Sequence, residues 1–195
     1  MSTENKPLVL YVYDAMCGWC YGFDPVIKKA SEVFADDFNF IAVSGGMITG
    51  DRITPISSMS DFILKAYHRV EETTGIKFGE GYLNLVKEGS YLTNSIKPGI
   101  AMSVFKSFLP EKSIEFACDI QHAHMFDGKD LNGRDAYLEI IKKYGLDENE
   151  FLSRLNSEQF QQQTYTEFKE VQRIGITGFP AVLLQYNQGM YLISN

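Results

Sequence analysis

The sequence predicts an α/β fold in which a β-α-β unit at the start and a helix with a β-hairpin at the end enclose a long helical segment. Three observations predict this fold. An apolar run over residues 8–13 leads directly into Cys17-Gly18-Trp19-Cys20 and a helical pattern. Apolar residues then recur at helical spacing through the middle of the chain, and two β-rich runs separated by a turn close it.

The first region has the order strand, helix, strand. Residues 8–13 (LVLYVY) form a continuous apolar run, which is typical of a buried strand. We expect a helix over about 19–34 and a second strand over 38–43. Pro25 lies inside the predicted helix and should kink it, because proline removes one N–H and crowds the preceding turn.

The middle region, from about residue 55 to 160, is predicted to be helical throughout. One helix follows Ser57-Ser58 and ends at Gly75, where glycine is a plausible stop. Asp147 resembles the first residue of a capping box, with the acidic partner three residues later. Further helices are predicted around 100–108, over about 111–126 and over 134–144.

The last region returns to mixed structure. A long helix is predicted from about Ser157 to Gly175, and a β-hairpin follows, entered through Pro180. We therefore expect a core made of residues 1–50 and 158–195, interrupted by a helical lobe over 51–157.

Composition and charge limit the classes of function. The chain is 45% hydrophobic and 13% aromatic, which is enough for a packed core and argues against disorder. The net charge of −7, without a basic block, argues against nucleic acid or an anionic membrane as the main partner. The sequence shows no signal-peptide pattern and no long apolar run, so we expect a cytoplasmic protein without a membrane span.

Cys17 and Cys20 form a C-x-x-C pair where a predicted strand meets the first turn of a predicted helix. Free N–H groups and the positive end of the helix dipole favour an anion at this point, and the thiolate is the reactive form of cysteine. A C-x-x-C pair beside a β-α pattern indicates thioredoxin-like redox chemistry. Half of a zinc site and two incidental cysteines remain as alternatives, although a structural zinc usually needs four ligands.

Few other side chains are candidates for a metal site. Cys118 and His122 share one helix face, while His124 points elsewhere. The apolar neighbours of Cys118 favour an inert core cysteine, and His68 is expected at the surface. We therefore predict no metal and no bound cofactor, with glutathione considered only as a redox partner.

With this order of elements, and with Gly178-Phe179-Pro180 before the hairpin, the chain resembles the DsbA-like branch of the thioredoxin fold. Residues 13–23 (YDAMCGWCYGF) are most similar to its cytosolic members described as predicted protein-disulfide isomerases. Relatives of that branch include 2-hydroxychromene-2-carboxylate isomerases and kappa-class glutathione transferases. The resemblance covers nearly the whole chain and implies a thioredoxin fold with a large α-helical insertion, although the helical lobe matches only as a pattern.

The resemblance implies a role for each motif residue. Cys17 would be the exposed nucleophile and Cys20 the buried resolving thiol, exchanging disulfides with a protein or small-molecule substrate. Pro180 would be a cis-proline facing this pair, whereas the residues alone are equally compatible with an ordinary trans proline that opens a strand. The cis-proline would turn the Phe179 backbone toward Cys17, so that its N–H and C=O groups face an extended substrate segment.

Three neighbours of the motif have roles that the residues leave open. Trp19 either forms a flat apolar rim for substrates or packs on the helical insertion. Asp14 and Asp24 are candidates for the buried acid that moves the resolving cysteine's proton in thioredoxins. Asp14 could instead cap the motif loop, and Asp24 could be a solvated acid of the first predicted helix.

The sequence departs from the family pattern in three places. Gly-Trp separates the cysteines, whereas the strongly oxidising periplasmic member has Pro-His, so we expect a less oxidising potential. Phe179 is bulky enough to narrow a substrate groove. The sequence ends at Asn195, just after the hairpin, where the fold normally adds one more helix. We therefore expect either a longer natural chain or the loss of that helix.

Two alternative functions stay open besides a thiol-disulfide oxidoreductase of the protein-disulfide isomerase type. One is a glutathione-dependent isomerase or transferase on the same scaffold, although those relatives tend to carry serine at the nucleophile position. The other is a non-enzymatic peptide-binding module that uses a surface around Trp19 and Phe179. The sequence does not fix the oligomeric state.

Overall fold

A mixed four-stranded sheet lies at the centre of the structure, a computed structural model that describes residues 6–194. Its strands are Leu8–Tyr13 (β1), Asn39–Ser44 (β2), Ala181–Tyr186 (β3) and Gly189–Ser194 (β4). The spatial order is β2-β1-β3-β4, so β1 is an interior strand. All four strands were predicted from the sequence to within about two residues, a normal uncertainty for element ends.

Strand directions determine which loops meet at the motif. β1 runs parallel to β2, with Leu10 opposite Ile41, because a helix connects the two strands. β3 runs antiparallel to β1, with Val12 opposite Ala181. Three strand termini therefore lie side by side at one end of the strands, next to the C-x-x-C loop: the end of β1, the end of β2 and the start of β3.

Eight α-helices surround this sheet within residues 6–194. They are Gly18–Val33 (α1), Ser60–Thr74 (α2), Glu80–Glu88 (α3), Ile96–Lys106 (α4), Ser113–Met125 (α5), Asp135–Lys142 (α6), Glu148–Leu155 (α7) and Glu158–Arg173 (α8). Three short 3₁₀ turns, Gly50–Arg52, Ile56–Ser58 and Pro110–Lys112, connect some of them.

Local signals explain most of the helix ends. Pro25 lies inside α1 as expected. α2 ends at Gly75, which adopts a left-handed conformation with φ 78°, where glycine carries no steric penalty. Asp147 caps α7 by accepting the Glu150 N–H at 2.8 Å. Residues 80–88 lie in the region predicted to be helical throughout, but the sequence analysis gave α3 no bounds of its own.

The helices bury two main apolar clusters. The larger one joins β1 and α1 to α4, α5, α6 and α7. A second cluster packs α2 and α3 against Tyr21 of α1. The edge strand β4 exposes its apolar side chains, Met190, Tyr191, Leu192 and Ile193. No helix within residues 6–194 combines the length and the apolar character needed to cross a membrane.

Candidate active site

Cys17 occupies the N-cap position of α1, with extended backbone angles of φ −92° and ψ 110°. Its Sγ accepts a hydrogen bond from the Cys20 N–H at 3.3 Å, in the way that serine or aspartate oxygens cap other helices. Its own N–H donates to the Asp14 carbonyl at 3.0 Å, which closes the turn after β1. The sulfur is therefore fixed at the positive end of the α1 dipole.

The two thiols have opposite acidities. A hydrogen bond from the Cys20 thiol lowers the pKa of Cys17, and the Cys20 N–H lowers it further, while burial opposes both effects. Complete burial raises the pKa of Cys20 well above its ordinary value, and the neighbouring Cys17 charge raises it further. Cys17 is therefore the thiol that ionises first, since the environment favours one thiolate and disfavours the second.

The expectation that Cys17 is exposed is wrong. Its residue exposure is only 7%, while Cys20 is fully buried, as expected. The thiol is covered from one side by the Phe179 carbonyl oxygen, to which Sγ donates at 3.5 Å. Cys17 is also one of the residues that line a cavity.

The Phe179–Pro180 peptide bond is cis, as the resemblance implied. It lies at the start of β3, and the Phe179 carbonyl faces Cys17. The Phe179 ring lies against Gly45 at the end of β2, where there is no room for a Cβ atom. The ring is absent from the cavity wall at Cys17. The expectation that Phe179 narrows a substrate groove stays a prediction.

Asp14 anchors the motif loop to the rest of the protein. Its buried carboxylate accepts hydrogen bonds from the Met16 N–H at 2.9 Å, the Met47 N–H at 2.7 Å and the Ser95 hydroxyl at 2.8 Å. Burial raises its pKa, and these three hydrogen bonds oppose the rise. Of the two roles that the sequence left open, the contacts match the loop cap.

Asp24 is buried, so the expectation of a solvated residue is wrong. Burial raises its pKa well above the ordinary value. The Gln121 side chain of α5 fits beside it with the amide nitrogen donating to Asp24 Oδ1 at 2.9 Å and the amide oxygen accepting from the Tyr21 N–H at 3.0 Å. The half-buried Cys118 thiol donates to the Asp24 carbonyl at 3.9 Å. Burial raises the pKa of Cys118 as well, which fits an unreactive thiol.

A cavity of about 230 Å³ adjoins the thiol of Cys17. The rim of the cavity is formed by three lining residues that are exposed: Trp19, Met59 and Phe62. Trp19 is 41% exposed and Phe62 is 66% exposed. Trp19 thus forms part of a rim, one of its two predicted positions. Pro180 lies outside the cavity wall, as Phe179 does. The rest of the apolar lining consists of Met16, Met47, Ile48, Ile56, Ile63, Ala66, Val70 and Phe78.

His124 contributes one of the few polar groups of this cavity. The side chain is buried, and its Nδ1 lies 3.0 Å from the Lys129 carbonyl oxygen. Burial lowers its pKa to about 4, so the ring is neutral at physiological pH. A neutral ring that donates Nδ1–H to Lys129 keeps Nε2 as a hydrogen-bond acceptor.

Sequence reasoning missed this cavity because its walls come from distant parts of the chain. The 3₁₀ turn 56–58 and helices α2 and α3 cover the motif loop. The signal for α3 was present in Tyr82 and Val86, which are four residues apart and both buried, followed by Gly89 at the helix end. Within the described residues, no three metal-ligating side chains come together.

Comparison with known proteins agrees with this geometry. The family model of the DSBA-like thioredoxin domain matches residues 108–192. The ClpXP adapter protein SpxH of Halalkalibacterium halodurans is 21% identical over 161 residues, which are 79% of this chain and 51% of that protein. The chain therefore spans about half the length of this curated relative.

Two solved structures cover nearly the whole chain. A protein from Nitrosomonas europaea, described as a proposed protein disulfide isomerase, has a TM-score of 0.86 and 28% identity over 97% of this chain and 90% of its own. The cytosolic disulfide reductase DsbM from Pseudomonas aeruginosa has a TM-score of 0.81 and 25% identity over 96% of this chain and 89% of its own. A structure of DsbM with GSH has a TM-score of 0.79 and 24% identity, over 96% and 89% of the two chains.

The family model accounts for α5 to β4, and the two structures extend the same fold over the motif loop and the helical lobe. Together with the Cys17/Cys20 pair, these findings show that the chain has a DsbA-like thioredoxin fold with a large α-helical insertion.

Proposed function

We propose that this chain is a thiol-disulfide oxidoreductase of the protein-disulfide isomerase type, with Cys17 as the nucleophile and Cys20 as the resolving thiol. One observation carries the proposal: Cys17 Sγ caps α1 and accepts the Cys20 N–H at 3.3 Å, while Cys20 itself is fully buried. This arrangement lowers the pKa of the Cys17 thiol and keeps the Cys20 thiol protonated beside it.

The proposed reaction has two exchanges. The Cys17 thiolate attacks one sulfur of a substrate disulfide, forms a mixed disulfide and releases the other sulfur as a thiolate. The Cys20 sulfur then attacks Cys17 Sγ, its proton passes to the departing substrate sulfur, and a Cys17–Cys20 disulfide remains. Two electrons pass from the dithiol to the substrate, and the reverse sequence oxidises a substrate dithiol.

We propose Trp19, Phe179 and Pro180 as substrate contacts. Trp19 is supported by its exposed position on the cavity rim. Phe179 is supported by its carbonyl oxygen, which lies 3.5 Å from the reactive sulfur, at a place where a substrate main chain could pair with it. We also propose that the predicted core, residues 1–50 and 158–195, is formed by its described residues 6–50 and 158–194, since residues 1–5 and 195 lie outside the described part of the chain, and that residues 51–157 form a lobe covering the motif loop.

We propose that the protein works as a disulfide reductase in the cytoplasm, with glutathione as a redox partner and no bound cofactor. The support is the similarity to DsbM, which is described as a cytosolic disulfide reductase and has also been determined with GSH. The absence of histidine between the cysteines removes one group that could stabilise the reduced form, which favours a more reducing potential.

The proposal is tested by equilibrating the protein with mixtures of reduced and oxidised glutathione, trapping free thiols by alkylation and weighing the intact chain. We expect one reversible two-electron transition that requires both Cys17 and Cys20. Cys17→Ser should abolish disulfide reduction, and Cys20→Ser should accumulate a mixed disulfide. Cys118→Ser is the matched control, because this thiol lies away from the motif loop.

Full disulfide reduction by Cys17→Ser would overturn the proposal. Glutathione binding and turnover of an electrophilic substrate by the same variant would favour the transferase alternative. Peptide binding that survives the loss of both cysteines, without any exchange in the native chain, would favour the binding-module alternative.

A further inference from the structure

The cavity next to Cys17 is the route by which a substrate sulfur reaches the thiol. Cys17 is only 7% exposed, and the Phe179 carbonyl covers its sulfur from one side. Cys17 is itself one of the residues that line the cavity. A disulfide that reaches Cys17 from this cavity places the group attached to its sulfur inside it.

The lining of the cavity is almost entirely apolar. No Lys, Arg, Asp or Glu belongs to it within the part of the chain that the structure describes. Its polar side chains carry only hydroxyl or imidazole groups: Thr93, whose hydroxyl already donates to the Thr54 carbonyl at 2.9 Å, the neutral His124, and the tyrosines Tyr67 and Tyr82. A charged group that entered would lose part of its hydration and would meet no side chain of opposite charge, which is unfavourable.

The cavity is also small. A cavity of about 150 Å³ with apolar walls is enough to hold benzene, and drug-sized ligands need roughly 300–1,000 Å³. The volume of about 230 Å³ at Cys17 therefore suits one substituted ring or one branched alkyl group. Glutathione carries two carboxylates and an ammonium group, so its charged ends must stay outside.

A polypeptide disulfide fits this cavity poorly. Each of its sulfurs is only two bonds from a main-chain Cα, so peptide N–H and C=O groups would follow the sulfur into the cavity. The lining offers them few partners, and unpaired buried peptide groups are costly. A low-molecular-weight disulfide whose sulfurs carry aryl or alkyl groups brings no such groups.

We propose that the Cys17 cavity selects low-molecular-weight disulfides in which one sulfur carries a small, uncharged aryl or branched alkyl group. This inference rests on the proposed exchange at Cys17 and adds the class of substrate. The apolar group R enters the cavity, and the Cys17 thiolate attacks the sulfur that bears it. The S–S bond of R–S–S–R′ breaks, Cys17–S–S–R forms, and R′–S⁻ leaves. Cys20 then releases R–S⁻, and an external thiol such as glutathione reduces the Cys17–Cys20 disulfide.

The experiment compares second-order rates of the reduced protein with three disulfides: neutral 2,2′-dithiodipyridine, dianionic 5,5′-dithiobis(2-nitrobenzoate) and polar bis(2-hydroxyethyl) disulfide. Each rate is divided by that of N-acetylcysteine thiolate with the same disulfide, which removes differences in intrinsic reactivity. We expect the normalised rate of the neutral aryl disulfide to exceed the other two by about tenfold or more, the usual discrimination by an apolar pocket.

Two variants test whether the cavity causes this preference. Ala66→Phe fills the cavity, and Phe62→Glu places a charge on its rim. Because Phe62 is exposed, its replacement leaves the packing of the fold intact. Lys65→Phe and Thr73→Glu are the matched controls, since both residues are exposed on α2 and lie outside the cavity wall. Both cavity variants should bring the rate ratio close to that of the free thiol, and both controls should keep it.

Equal normalised rates for all three disulfides in the native chain would overturn the inference while leaving the proposed exchange intact. A ratio that Phe62→Glu leaves unchanged would also overturn it. A peptide disulfide with Phe beside its cysteine that reacts as fast as the neutral aryl disulfide would show that the cavity takes polypeptide side chains instead. Failure of the native chain to react with any disulfide would instead contradict the proposed function itself.

Discussion

The Ser95 hydroxyl, at the start of α4, donates a hydrogen bond to the carboxylate of Asp14 at 2.8 Å. The Ser95 hydroxyl oxygen also accepts a hydrogen bond from the Ile48 N–H at 3.0 Å. Asp14 in turn closes the loop that carries Cys17, through the hydrogen bond from the Cys17 N–H to its carbonyl. The helical lobe and the strand ends therefore position the reactive loop together.

Ser95→Ala should destabilise the protein by about 1–3 kcal/mol, because it leaves a buried carboxylate oxygen and a buried N–H short of one partner each. Urea unfolding of the reduced protein measures this loss. Ser90→Ala is the control, since the Ser90 hydroxyl is exposed and pairs only with Glu88. Equal stability of Ser95→Ala and the native chain would contradict the role given to this contact.

The Cys17 thiol should titrate below the pKa of about 8.5 of a free cysteine, because the Cys20 thiol and N–H both donate to it. The rate of iodoacetamide alkylation against pH gives this value. Cys20→Ala removes the thiol donor and should move the midpoint upward, whereas Cys118→Ala should leave it in place. A midpoint at or above about 8.5 in the native chain would contradict the geometry.

The lowered pKa of Cys17 also has a consequence for stability. The folded reduced protein releases this proton at a lower pH than the unfolded chain does. The ionised thiol therefore stabilises the reduced protein at pH values above the unfolded pKa of about 8.5, and this contribution is lost as the pH falls through the folded pKa.

Gly45→Ala should destabilise the protein by about 1–3 kcal/mol, because the new Cβ overlaps the ring of Phe179. Thermal or urea unfolding measures the cost. Gly133→Ala is the matched control, since its Cβ would lie 3.6 Å from the Asp130 carbonyl oxygen. Adding Phe179→Leu to Gly45→Ala should recover part of the lost free energy of unfolding, because the smaller side chain leaves room for the new Cβ. If the free-energy losses of the two single variants simply add in the double variant, the two residues are not in contact.

His124 should stay neutral far below the usual histidine pKa of about 6.5, because burial lowers its pKa to about 4. Nitrogen chemical shifts of labelled histidine, assigned with His124→Gln, should show a neutral ring with Nδ1–H down to about pH 5. A titration midpoint near 6.5 would contradict the buried position. Since the unfolded chain takes up this proton first, His124 lowers stability as the pH falls from about 6.5 toward 4, by at most about 3 kcal/mol.

The sequence was sufficient to predict the order of the elements, because their signals are local. The apolar run of β1 and the glycine after α2 depend on neighbouring residues only. The pair Cys17 and Cys20 was recognisable for the same reason, since its spacing spans a single helical turn. The cis bond before Pro180 was implied only by the family resemblance.

The burial of Cys17 and the cavity beside it could not be predicted in this way. Both depend on where α2 and α3 lie over the motif loop, which is a matter of tertiary packing. Asp24 illustrates the same limit: its position in the first predicted helix is compatible with a solvated acid, yet Gln121 of α5 covers it. Sequence spacing carries no information about contacts between residues so far apart.

Three hydrogen bonds join the helical lobe to the sheet and α1, and a shortened version of this protein would lose them. Ser95 joins Asp14, Gln121 joins Asp24, and the Ser113 hydroxyl accepts the Ala42 N–H of β2 at 3.0 Å. A miniature enzyme made by splicing the two sheet-forming segments directly together would lose all three supports at once. Its C-x-x-C sequence would be intact, but the geometry that makes one sulfur acidic and shelters the other would have to be rebuilt by design.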